Sequence, residues 1–156
     1  MIRIGKSAAY VVFLSWNQSI SNCLKIASNT KYEGLKNIYT HKSNVKNSIC
    51  GDKIELQLIA NKSKIKSLRY ETESCVFCEA SASLLAKNIR FYLIKDLKKD
   101  IMTLKSTILK KNQKFPTKFK EFKHLLNSKY LSRTNCVMLP LNALLKAFKK
   151  WRKLQF

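Results

Sequence analysis

The sequence predicts a single α+β domain in which a small, mostly antiparallel sheet of about three strands is packed by several helices. The chain has 156 residues, of which 46% are hydrophobic, enough for one well-buried core. Only three glycines and two prolines are present, which argues against a turn-rich all-β architecture. Apolar residues alternate from Lys53 to Leu58, as in a strand, whereas they recur at helical spacing in residues 75–110.

The first half of the domain is predicted to hold a helix followed by two antiparallel strands. Apolar side chains recur at helical spacing from Ser19 to Lys31, and the polar stretch from Thr40 to Ser48 is predicted to be a connection. The alternating run that starts at Lys53 is the first strand. Residues 61–64 (NKSK) favour a hairpin turn, and a second strand is expected over about Ile65 to Thr72.

The second half is predicted to be helical. One helix is expected to begin near Ser74, and another spans about Ile94 to Lys110 with lysines opposite an apolar seam. Phe115 and Pro116 end that pattern, and a short helix follows around residues 119–126. Because proline suits the first turn of a helix, the last helix is expected to begin at about Pro140, which leaves Cys136 just ahead of it.

The chain is strongly basic, with 31 Lys and Arg against 9 Asp and Glu and a net charge of +22. Such a charge raises the possibility of a polyanionic partner. Most of the positive charge is lysine, however, and the five arginines do not cluster, whereas arginine is the residue favoured for bidentate phosphate contacts. We therefore expect a solvated basic surface and no nucleic-acid partner. A basic nucleic-acid or polyanion-binding module with structural cysteines stays open as the alternative.

The terminal segments predict the domain boundaries, and the cysteine count predicts the cellular location. Residues 1–18 are predicted to be an N-terminal extension, with a targeting segment as the alternative, because their apolar run is too short to span a bilayer. Residues 19–150 form the domain, and residues 151–156 form a basic C-terminal tail. The five cysteines are an odd number in a chain that is not a short secreted scaffold, so a reducing cytoplasm is expected.

Three cysteines fall at predicted element boundaries, where a site can rest on rigid supports. Cys50 precedes a strand with Asp52 two positions on, Cys75 opens a helix, and Cys136 precedes another helix. A thiol at a helix N-terminus has a lowered pKa, which favours the metal-binding thiolate. Three thiolates and one carboxylate suit tetrahedral Zn²⁺ or one face of an iron–sulfur cluster. The alternative is that these cysteines are small buried hydrophobes.

The remaining cysteines and histidines are assigned simpler roles. Cys23 lies on the apolar face of the first helix and is predicted to be core. Cys78 is one helical turn from Cys75, and we favour packing over a site role or a redox-active CxxC pair. His41 and His124 have polar neighbours in the sequence and are predicted to be solvated, although an approach of His41 to Cys50 stays open.

Four stretches in order resemble one known family. They are CLKIASNTKYEGL, CGDKIELQL, ESCVFCEASASLLAK and RTNCVMLPLNALLKAF. Together they are similar to the SufU/IscU/NifU-type scaffolds of iron–sulfur cluster assembly, over about residues 19–150. The long gap between Cys75 and Cys136 looks like the SufU branch. The resemblance implies the same α+β fold that the patterns predict.

The resemblance also implies roles for individual residues. Cys50, Asp52, Cys75 and Cys136 match the family's ligands for Zn²⁺ or a nascent 2Fe–2S-type cluster. One cysteine of such a site accepts sulfur as a persulfide, and Cys50 is the first candidate here and Cys136 the second. The implied partners are a cysteine desulfurase and downstream Suf-type assembly or acceptor proteins. A scaffold is the expected role, with a zinc-dependent sulfurtransferase as the enzymatic alternative.

Overall fold

The computed structural model describes residues 20–110, 114–126 and 132–154, with side chains described as far as residue 149. Within these ranges, three strands form one antiparallel sheet in the order β1-β2-β3. The strands are β1 (His41–Lys46), β2 (Lys53–Ala60) and β3 (Ile65–Glu73). Residues 1–18 lie outside this description, and the predicted bounds of extension, domain and tail stay predictions.

Helices cover one face of the sheet and enclose the core. They are α1, described over residues 20–27, then α2 (Val76–Asn88), α3 (Ile94–Lys110) and α4 (Thr134–Leu154), with a short 3-10 segment at Thr117–Leu125. α4 packs against α2 and against β1, and α3 packs against α4. This is the predicted α+β architecture. No helix among the described residues is long and apolar enough to cross a bilayer.

Strands β2 and β3 confirm the alternation found in the sequence. Ile54, Leu56 and Leu58 are buried on the inner face, and Leu56 pairs with Tyr70 while Leu58 pairs with Leu68. The predicted hairpin turn also forms, since the Asn61 N–H donates to the Lys64 carbonyl over 3.1 Å. Local periodicity was sufficient here because these inner-face side chains of β2 are all apolar.

The prediction that Thr40 to Ser48 is only a connection is wrong, because its centre is strand β1. His41 and Ser43 point inward and are buried, alternating with exposed neighbours. The Ser43 hydroxyl is satisfied inside the fold, since it donates to the Ala143 carbonyl of α4 over 2.6 Å. Two of the inward residues are polar, so the strand's period of two carries no hydrophobic signal.

The helical predictions are confirmed for α3 and corrected for α4. α3 has the predicted bounds, and its seam residues Leu97, Ile101 and Leu104 are buried. α4 begins at Thr134 and not at Pro140, so Cys136 lies inside its first turn. Pro140 has no N–H to donate to the Cys136 carbonyl, a defect that costs about 3 kcal/mol in a helix interior. Burial of the surrounding apolar residues offsets this cost: Val137, Leu139, Leu141 and Leu144.

Candidate metal centre

The tip of the β1–β2 hairpin carries the first two candidate ligands. Asn47 closes the loop, because its N–H donates to the Asp52 carbonyl over 2.7 Å and its carbonyl accepts from the Gly51 N–H over 2.8 Å. Gly51 has φ +76°, a left-handed conformation that residues with a Cβ rarely adopt. The reversal at Gly51 leaves Cys50 exposed while Asp52 is buried.

Cys75 lies where β3 ends and α2 begins. It is the N-cap residue of α2, with the extended backbone (φ −73°, ψ 166°) typical of that position. Its N–H donates to Asp52 Oδ1 over 3.3 Å, so the buried carboxylate is held at the positive end of the helix dipole. The hairpin and the N-terminus of α2 are thereby joined through one side chain.

Cys136 reaches the same region from α4 and is only 2% exposed. A buried hydrogen bond holds the adjacent residue, Val137, against α2, because the Ser81 hydroxyl donates to the Val137 carbonyl over 2.6 Å. Sequence reasoning gave Ser81 no role of its own. The available signal was a serine within the small-residue run ASAS (residues 80–83). A buried hydroxyl requires a hydrogen-bond partner, so this serine indicated a buried contact.

Three ligand atoms converge at this point. Cys50 Sγ, a carboxylate oxygen of Asp52 and Cys136 Sγ all lie within 4.8 Å of one another, and the two sulfurs are 3.8 Å apart. Asp52 Oδ2 is buried and has no hydrogen-bond partner among the described residues. A buried carboxylate oxygen without a donor is costly unless a cation or proton satisfies it, so this donor set fits a bound metal.

Cys75 lies beside this group but is not one of the three residues whose ligand atoms all lie within 4.8 Å of one another. The pKa of the Cys136 thiol is raised well above its usual range, first by burial and then by hydrogen bonding and charge from Cys75, with smaller effects of Asp52 and Cys50. All four groups therefore interact. A bound cation would offset the burial and the neighbouring groups that raise the pKa of the Cys136 thiol.

Comparison with known proteins identifies the family of this chain. The family model described as NifU-like N terminal domain matches residues 20–156. The chain belongs to the NifU-like N-terminal domain family. A search of curated proteins finds no match for this NifU-like domain.

Solved structures share the fold of the NifU-like domain at low sequence identity. A NifU-like protein (N-terminal) from Brucella abortus superposes with a TM-score of 0.77 at 19% identity, covering 88% of this chain and 97% of its own. A putative iron–sulfur cluster assembly scaffold for the SUF system from Fervidobacterium islandicum gives 0.70 at 20% identity, covering 81% and 93%. A hypothetical protein gives 0.68 at 19% identity, covering 85% and 98%.

The other two cysteines of the NifU-like domain are buried in the core, as predicted. Burial raises the pKa of Cys23 to about 11, with a further contribution from the charge of Cys75. Burial also raises the pKa of Cys78 to about 12. Neither thiol belongs to the three-atom group found among the described residues. Both side chains form part of the hydrophobic cluster between sheet and helices.

The two histidines differ in their exposure to solvent. His124 is exposed, as predicted. His41 was predicted to be solvated, and this is wrong, because it is 5% exposed with its ring 4.7 Å from that of Phe148 on α4. Burial lowers the pKa of His41. His41 does not join Cys50 in the ligand group of the described residues.

Proposed function

We propose that the protein is an iron–sulfur cluster assembly scaffold that takes sulfur from a cysteine desulfurase and holds iron or zinc. Cys50, Asp52, Cys75 and Cys136 are the proposed ligands. The observation that carries the proposal is the approach of Cys50 Sγ, Asp52 and Cys136 Sγ to within 4.8 Å around a buried carboxylate oxygen that lacks a partner. Membership of the NifU-like family supports it.

The donor set suits a cargo that must be held and then released. Thiolates bind Zn²⁺, iron and iron–sulfur clusters tightly, whereas a carboxylate is a harder and weaker ligand for these metals. In the proposal Asp52 is therefore the replaceable ligand. Zn²⁺ and a 2Fe–2S-type cluster use the same residues, and a zinc-dependent sulfurtransferase would be this site with the metal retained.

Cys50 is the proposed sulfur acceptor because it is the exposed thiol of the group, whereas Cys136, the second candidate, is buried. The Cys50 thiolate attacks the outer sulfur of the persulfide on the desulfurase. A new S–S bond forms on Cys50, the S–S bond of the donor breaks, and the donor cysteine leaves as a thiolate. The sulfur is transferred without net oxidation or reduction. A downstream acceptor protein would complete the cycle, in the cytoplasm.

Metal content and sulfur transfer test the proposal. The protein is purified with and without oxygen, and bound metal and the visible spectrum are measured for the wild type and for Cys50→Ala, Cys75→Ala and Cys136→Ala. We expect about one tight metal or cluster per chain, weakened by each substitution, because each removes a thiolate, the strongly binding ligand type of this set. Cys78→Ala is the matched control, since this thiol is buried nearby but is not a proposed ligand.

Failure of the wild-type protein to bind metal and to accept sulfur would contradict the proposal. A wild-type protein that binds neither metal nor cluster, and takes no sulfur from a desulfurase, does not act as a scaffold or carrier. Transfer is followed with radiolabelled cysteine as the sulfur source. Label that survives in Cys50→Ala but is lost in Cys136→Ala would move the acceptor role to Cys136.

A further inference from the structure

A second concave surface is formed by β2, β3, the loop after α1 and the C-terminal end of α2, and no cysteine lines it. It is a groove of about 350 Å³, here called the basic groove. Its lining is Lys31, Tyr32, Lys36, Ile38, Gln57, Ile59, Lys66, Ser67, Leu68, Arg69, Ala86 and Arg90. Five of these twelve residues are cationic and none is acidic, so the groove has one sign of charge.

The charge of the basic groove is not balanced by carboxylates within the described residues. The ion pairs found among the described residues involve lysines outside the groove: Lys42–Glu55, Lys53–Glu73 and Lys87–Glu121. The Arg69 guanidinium donates to the backbone carbonyls of Gly34, over 2.6 Å, and Glu33, which fixes the wall of the groove while leaving its charge in place. Glu71, on the same face of β3, accepts from the Leu35 N–H over 3.2 Å.

The floor and rim of the basic groove are partly apolar. Half-buried Ile59 contributes aliphatic surface, as does Ile38 at the rim, which is 72% exposed, whereas Leu68 and Ala86, also in the lining, are only 2% and 1% exposed. A nucleic-acid strand needs a long charged track with aromatic platforms for its bases, whereas this groove is short and contains one ring, that of Tyr32. Apolar surface framed by cations instead complements a peptide that carries both aliphatic and acidic side chains.

We propose that the basic groove is a docking site for an acidic segment of a partner protein, containing aspartate or glutamate and at least one aliphatic residue. Ile59 is seven positions along β2 from Asp52, or about 23 Å at 3.3 Å per residue. A partner held in the groove therefore leaves the cysteine site accessible. This surface is independent of the metal ligands, and its occupant does not depend on the identity of the metal.

Charge reversal with a matched control tests the proposal. The probe is a fluorescein-labelled peptide of three Asp-Glu-Leu repeats, and binding is followed by fluorescence anisotropy at about 0.15 M salt. The groove variant is Lys31→Glu, Lys36→Glu and Lys66→Glu. The control is Lys98→Glu, Lys99→Glu and Lys110→Glu on the exposed face of α3, which changes the net charge equally.

We expect the groove variant to weaken binding about tenfold or more, since three exposed charge contacts are reversed, and the control to weaken it less than about twofold. Equal weakening by both variants would overturn the proposal, because total charge would then explain binding. No binding to the wild type would also overturn it. So would a single-stranded oligouridine that binds the groove more tightly than the peptide and displaces it.

A second variant separates docking from folding. Ile38→Ser removes an exposed apolar side chain and is expected to leave stability unchanged while weakening peptide binding about threefold. If the groove variant fails to fold and Ile38→Ser binds normally, the proposal is wrong. Zinc content and sulfur transfer are measured on every variant, and we expect them to be unchanged. Loss of metal binding in wild type would affect the proposed function but not this docking site.

Discussion

The Sγ atom of Cys50 lies 3.8 Å from the Sγ atom of Cys136, although 86 positions separate the two residues in the chain. One sulfur belongs to an exposed residue at the hairpin tip and the other to a buried residue in the first turn of α4. A disulfide would require an S–S distance of about 2.05 Å, which a modest shift of the exposed turn would allow. If a metal binds here as proposed, oxidation and metal binding are expected to compete for this pair of sulfurs.

Oxidation of metal-free protein is therefore expected to join Cys50 to Cys136. Treatment with a small disulfide such as oxidised glutathione should produce this bridge, and bound Zn²⁺ should suppress it because the metal occupies both thiolates. Peptide mapping by mass spectrometry identifies the bridge. Cys136→Ser serves as the control that cannot form it. A dominant bridge between Cys75 and Cys78 would contradict the expectation.

Replacement of Asp52 tests its proposed role as the replaceable ligand. Asp52→Ala is expected to slow transfer of a preassembled cluster to an acceptor, by about tenfold, because the weak oxygen ligand is lost. The decay of the visible spectrum after addition of an apo-acceptor gives the rate. Asp52→Asn is the control, because its amide oxygen can still accept from the Cys75 N–H. Faster loss from Asp52→Ala would show that the carboxylate retains the cluster.

Substitution of Gly51 is expected to act through backbone strain alone. A Cβ at this position meets no atom within 4 Å, but φ is +76°, so Gly51→Ala should cost about 1 kcal/mol of stability. Urea unfolding measures the free-energy change. Gly51→Asn should cost less, since asparagine tolerates the left-handed region better. Equal costs for the two variants would argue against backbone strain as the cause.

His41 is expected to make stability depend on pH. Burial lowers its pKa in the folded state, so the unfolded chain binds a proton more readily below the ordinary pKa of 6.5. The contribution is fully present above about pH 6.5 and is lost as the pH falls towards the folded pKa. Urea midpoints between pH 5 and 8 measure the slope. His41→Gln should flatten it, while His124→Gln, at an exposed position, should not.

The local elements could be predicted from the sequence because each is encoded by neighbouring residues. The alternation of Ile54, Leu56 and Leu58 and the seam of α3 follow from the periods of strand and helix. The turn at position 51 is likewise local, because its φ of +76° lies in a region that glycine adopts readily. The order of the four family-like stretches was sufficient to suggest the family.

Tertiary structure decided whatever depends on contacts between distant segments. β1 forms because β2 pairs with it and α4 accepts the Ser43 hydrogen bond, neither of which its polar pattern reveals. α4 continues through Pro140 because buried neighbours offset the missing hydrogen bond. The same packing brings Cys136 to Cys50 and buries one sulfur while exposing the other. Local periodicity cannot specify such contacts, because they depend on how separate elements are packed together.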